Sequence, residues 1–68
     1  MKYAVVTESA TKNFVAYVPD LPGCVAIGRS LGEVERNIRG AIAMHLDGLR
    51  DDNVPIPIPQ TATMLVEV

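Results

Sequence analysis

Apolar and polar positions follow one another in short alternating runs over the first 28 residues and then switch to a helical period. In residues 1–8, Tyr3, Val5 and Thr7 fall on one side of an extended chain and Ala4 and Val6 on the other, a pattern reinforced by the β-branched residues. Residues 9–13 form a polar cluster suited to reversing the chain, and residues 14–18 resume a β-rich run, so the two runs predict a hairpin. Pro19-Asp20-Leu21-Pro22-Gly23 fixes φ at two prolines and permits a positive φ at the glycine, which predicts a structural turn. Residues 24–27, closed by Gly28, supply a third short strand and complete a meander.

Ser30-Leu31-Gly32-Glu33 has the form of a capping box, with Ser30 and Glu33 as the cap, and predicts a helix from Leu31. At 100° per residue, Leu31, Val34, Ile42, His45 and Leu49 lie within roughly 40° of Ile38, whereas Glu33, Arg36, Arg39, Asp47, Arg50 and Asp51 lie opposite. The stripe predicts about five turns, with Asn53 as a left-handed terminator before Pro55. Val54-Pro55-Ile56-Pro57-Ile58-Pro59 reads as a stiff polyproline-like connector, and residues 63–68 as a last strand with Met64, Val66 and Val68 on one face. The fold class expected is therefore α+β in the order β-β-β-α-β. The three-stranded antiparallel meander would be joined by a fourth strand parallel to the first, giving the strand order 3-2-1-4.

Size turns this layout toward association. A chain of 68 residues is one domain, 1–68, and at that length a lone core is marginal without a staple. Cys24 is the sole cysteine, so no internal disulfide forms, and a reducing cytoplasm is the expected location. One helix covers one face of a sheet, which leaves a second apolar face for another protein surface. Val6, Val15 and Tyr17 on the sheet, with Arg36 and Arg39 on the helix, are the candidate partner or oligomer interface, and a homodimer or higher homo-oligomer is the expected state. No apolar run approaches the roughly 18 residues that span a bilayer. A formal charge of −2 disfavours general affinity for nucleic acid.

Candidate chemistry is sparse. His45, the only histidine, sits in the apolar stripe, where a neutral imidazole in a core or interface is the ordinary outcome. No second histidine or cysteine stands at metal-ligand spacing from it. Cys24 lacks a legible base and reads as a small hydrophobe. The carboxylates, among them Glu33, Glu35, Asp47, Asp51 and Asp52, crowd the polar side or the end of the helix instead of converging on the strands as a two-metal site needs. Glycines follow no phosphate-loop pattern. No catalytic, metal or cofactor-binding residue is assigned, and no cofactor is expected.

The combination of an opening strand ending at Thr7-Glu8, Phe14-Val15-Ala16, Val18-Pro19-Asp20-Leu21-Pro22-Gly23-Cys24, Gly28-Arg29-Ser30 before a helix through Ala41, His45 and Leu49, and Val54-Pro55-Ile56-Pro57 resembles the HicB-type antitoxin family over nearly the whole chain. That resemblance implies a reduced ribonuclease-H-like sheet without catalytic carboxylates. It also implies a non-enzymatic role: binding and masking a small, basic, mRNA-cleaving HicA-type toxin. Longer family members carry a carboxy-terminal helix-turn-helix or ribbon-helix-helix module that binds operator DNA. No such module follows Val68, so direct DNA binding is not expected of this chain. Two alternatives stand beside this reading: a stand-alone homo-oligomeric module without a toxin, and a metal-dependent nuclease relic.

Overall fold

Two consecutive β-turns organise the first half of the chain. Val18 accepts from the Leu21 N–H at 3.0 Å with Pro19 in the second position, and Leu21 accepts from the Cys24 N–H at 3.0 Å with Pro22 in the second position. Gly23 occupies the third position of the second turn at φ +85, the left-handed value that a proline-led type II turn requires and that glycine adopts without steric cost. The residue the turns share, Leu21, is fully buried, so the loop is also a plug for the core.

The computed structural model describes all residues, Met1–Val68. Strands β1 (Val6–Ser9), β2 (Phe14–Tyr17) and β3 (Val25–Gly28) form one antiparallel sheet in the order β1-β2-β3, and helix α1 spans Leu31–Asp51. The hairpin between β1 and β2 is closed by the Ala10 N–H donating to Asn13 at 2.7 Å. Tyr17 pairs with Val6, and the next residues on β2 bend into the turn, where Val18 donates to Cys24 and Pro19 has no N–H to give. Residues 1–5 thus lack a ladder partner, and the regular strand begins at Val6 instead of at residue 1. The third strand likewise sits one position later than its apolar run, because the Cys24 N–H is spent on the turn.

The helix starts and stops on side-chain and backbone chemistry. Ser30, in extended backbone, accepts from the Glu33 N–H at 3.1 Å. At the other end Val54 and Asn53 donate back to Leu49 and Arg50, with Asn53 at φ 57. The stripe that enters the core is narrower than its apolar residues allow: Val34 and Ile38 are buried, Ala41, Ile42 and Leu46 pack partly against the core, and Leu31 is 59% exposed. Ala16, Val18, Leu21 and Cys24 complete the core from the sheet side. Gly28 lets the helix approach closely, since a Cβ there would lie 2.7 Å from the Val34 Cα and 2.9 Å from its Cβ. Asn37 fastens the same corner by donating to the Ile27 carbonyl at 2.8 Å.

No fourth strand forms. Residues 54–68 carry no regular secondary structure, so the architecture is β-β-β-α. Pro55, Pro57 and Pro59 offer no donors to a ladder. The next two amides, Gln60 and Thr61, both donate to the Asp20 carboxylate at 3.0 Å. Upstream, the Tyr3 hydroxyl donates to the Pro57 carbonyl. Between residues 57 and 61 the chain crosses the end of the sheet from the β1 side to the β2–β3 turn instead of running alongside β1.

Candidate protein-binding surfaces

Strand alternation and the observed register sort the sheet into two faces. Ala16, Ala26 and Gly28 point to the helix, and the residues between them point away. Val6 lies opposite Tyr17, Tyr17 opposite Val25, and Val15 opposite Ile27, so these five apolar side chains form one continuous patch on the open face. Val25 and Ile27 are each 58% exposed. Glu8, across from Val15, is the acidic group of β1 on that face. The molecule is only 15 Å through its thinnest direction, the depth of one sheet and one helix.

Of the sequence-derived interface set, Val6, Val15 and Tyr17 come together here. Arg36 and Arg39 do not, because they sit on exposed positions of α1, in the layer behind the sheet. Arg39 pairs with Glu35 at 3.6 Å, and both side chains are largely exposed, so the pair contributes little to stability. Val25 and Ile27 were missed as candidates. Alternation from buried Cys24 would have pointed both outward.

A second concave surface runs along the free side of β1. The helix packs over β3 and β2 and not over β1, which leaves a groove of about 510 Å³. One wall is Tyr3 and Val5, on the extended segment leading into β1, with Thr7 of β1; the helix wall is Leu31, Ile38 and Ile42, and the Glu35–Arg39 pair stands at the rim. Beside it the outer backbone edge of β1 has no pairing strand.

Asp20 is the polar centre of the turn. Its carboxylate accepts from the backbone of Thr61 and Gln60 and from the Thr61 hydroxyl at 2.9 Å, and these bonds, the Thr61 amide first, hold its pKa below the ordinary aspartate value. Cys24 is buried, and desolvation pushes its thiol pKa up, away from nucleophile chemistry. His45 is half-buried on α1 and takes part in neither ion pair of the structure. No three of the His, Cys, Asp and Glu side chains gather as a metal-holding group would require. No helix is long and apolar enough to cross a membrane.

A family model described as the HicB-like antitoxin of bacterial toxin–antitoxin systems matches residues 3–67. The chain belongs to the HicB-like antitoxin family. An uncharacterized 14.9 kDa protein from the rep-hol intergenic region of Haemophilus phage HP1 is 35% identical over 57 residues, covering 84% of this chain but only 43% of the phage protein. This HicB-like chain therefore spans less than half of that relative. A UPF0150 protein of Thermoplasma acidophilum is 38% identical over 58 residues, covering 84% of both chains. Another from Helicobacter pylori is 41% identical over 49 residues, covering 72% of this chain and 68% of that one. Among solved structures, a chain of a HicA3 and HicB3 toxin–antitoxin complex superposes with a TM-score of 0.75 at 27% identity, covering 87% of this HicB-like chain and 70% of its own length.

Proposed function

We propose that this HicB-like chain is a non-enzymatic antitoxin module that binds a small, basic, RNA-cleaving toxin of the HicA type and masks its RNA-binding surface. The observation that carries the reading is the open sheet face, a contiguous apolar patch of Val6, Val15, Tyr17, Val25 and Ile27 on a fold similar to a chain of the HicA3 and HicB3 complex. A patch of that kind is a protein-binding surface on physical grounds, since exposed apolar side chains gain by leaving water and Tyr17 supplies a large, stiff anchor. The net charge of −2 favours approach of a basic partner, and a pair acting on mRNA would work in the cytoplasm. Arg36 and Arg39 lie behind the sheet, so they do not oppose a basic protein docked on the open face.

The test is calorimetric titration with a HicA-type toxin, chosen first from any encoded beside this gene, repeated at low and high salt. A one-step binding isotherm with a negative heat-capacity change, weakened at least tenfold by Ile27→Asp, is expected. No heat of binding and no co-elution at micromolar concentrations would remove the proposal.

A further inference from the structure

We infer that residues 62–68 are a donor strand which, in a dimer, pairs with the outer edge of β1 of a second copy and fills that copy's groove. The inference stands independently of any toxin. It begins from an imbalance within the chain: Met64 is 82% exposed, Val66 65%, and Leu65 and Val68 fully so, although the segment alternates like a strand. Tails of that apolarity do not stay in water where a matching surface exists.

Such a surface is present and empty on every copy. The free edge of β1 has unpaired backbone groups on the side that α1 leaves uncovered, and the groove beside it is lined by Tyr3, Val5, Leu31, Ile38 and Ile42. A strand laid there satisfies the β1 edge and presents Met64, Val66 and Val68 to the groove as one face. Charge selects the same occupant: Glu35 and Arg39 neutralise each other at the rim, so the groove suits an apolar, nearly neutral strand better than a basic protein. Glu67 falls on the opposite face of the donor strand, away from the groove.

The tether disfavours the same chain as acceptor. Thr61 is held at Asp20 by its amide and its hydroxyl, beyond the end of the sheet, after the chain has already passed Tyr3 and left the β1 side. To reach its own β1 the segment would have to reverse at once, and Ala62-Thr63-Met64 contains none of the glycine, proline, asparagine or aspartate residues that make tight reversals. Seven extended residues reach about 23 Å, enough to lie along the edge strand of a neighbouring copy. Exchange of one element between two copies is reciprocal and closes with two-fold symmetry, each chain giving one strand and receiving one.

Disulfide trapping tests this. One preparation carries Thr7→Cys, and three others carry Met64→Cys, Val66→Cys or Val68→Cys. Each of these three is mixed with the first, oxidised in the native state and alkylated before denaturation, while buried Cys24 is spared. A covalent dimer between differently substituted chains is expected for at least one pairing. In parallel, Val66→Pro, which removes a ladder donor at an exposed site, is expected to lower the light-scattering mass from twice the 7.3 kDa chain to one chain with helix content unchanged. Three results overturn the inference: no covalent dimer between differently substituted chains in any of the three pairings, a dimer that survives Val66→Pro, or a wild-type chain that stays monomeric throughout the micromolar range.

Discussion

Asp20 and Thr61 are bound to each other by both the backbone N–H and the hydroxyl of Thr61, across a sequence separation of 41 residues. The carboxylate thus fixes where the carboxy-terminal segment leaves the body of the domain. Its pKa lies below the ordinary aspartate value because the bonded amides favour the charged form. The unfolded chain therefore holds this proton to a higher pH than the folded one. The tether is complete above the unfolded value and is lost as pH falls through the lowered folded value. Slow hydrogen exchange at the Gln60 and Thr61 amides is expected at neutral pH, with loss on acidification below the ordinary aspartate range. Asp20→Ala should show fast exchange at every pH, and continued protection in that variant would refute the tether.

Gly28 governs the seam between β3 and α1. Gly28→Ala puts a methyl group against the Val34 backbone, which the helix can relieve only by moving away from β3. A loss of about 1–3 kcal/mol is expected, in the usual range for overpacking a closed contact, measured by urea denaturation. Gly40→Ala, where a Cβ meets nothing within 4 Å, should instead be neutral or stabilising by up to about 1 kcal/mol.

Leu21 is a turn residue with the burial of a core residue. Truncation to alanine leaves a hole among Ala16, Val18, Cys24, Val34 and Ile38, and should cost about 2–5 kcal/mol. A domain of this length is stable by only about 3–10 kcal/mol, so a large unfolded population at 37 °C is expected by circular dichroism. A variant that melts within a few degrees of wild type would contradict the role of the turn as a plug.

The cap and the open face separate stability from binding. Ser30→Ala should lower stability by about 0.5–2 kcal/mol while leaving partner affinity unchanged once folded protein is counted. Tyr17→Asp and Val25→Asp, at exposed positions on the far side of the sheet from the helix, should show the reverse: melting temperatures near wild type and at least tenfold weaker binding of the proposed toxin partner. Equal loss of affinity in all three variants would mean that the open face is not the contact.

The parts of this fold that are legible in the sequence are those governed by neighbouring residues. Pro22-Gly23 specifies its turn, Ser30 its cap and Asn53 its terminator within a few positions, and the meander follows from them. The expected strand over residues 63–68 does not form beside β1 because its course depends on a distant contact: the Asp20 carboxylate takes the Gln60 and Thr61 amides just ahead of it and holds the chain at the β2–β3 turn. The open face was legible in part. Val6, Val15 and Tyr17 emerge from apolar alternation, whereas Val25 and Ile27 required knowing that Cys24 points inward. Arg36 and Arg39 were grouped with them by residue type, and only the layering of helix against sheet separates the two sets.

The masking role is tested most directly by RNA cleavage. A fixed amount of the HicA-type toxin that binds this chain, incubated with labelled RNA, is titrated with it. Cleavage should fall to the no-enzyme level at stoichiometric addition and return when Tyr17→Asp replaces the wild type; undiminished cleavage with the folded wild-type chain in tenfold excess would contradict it.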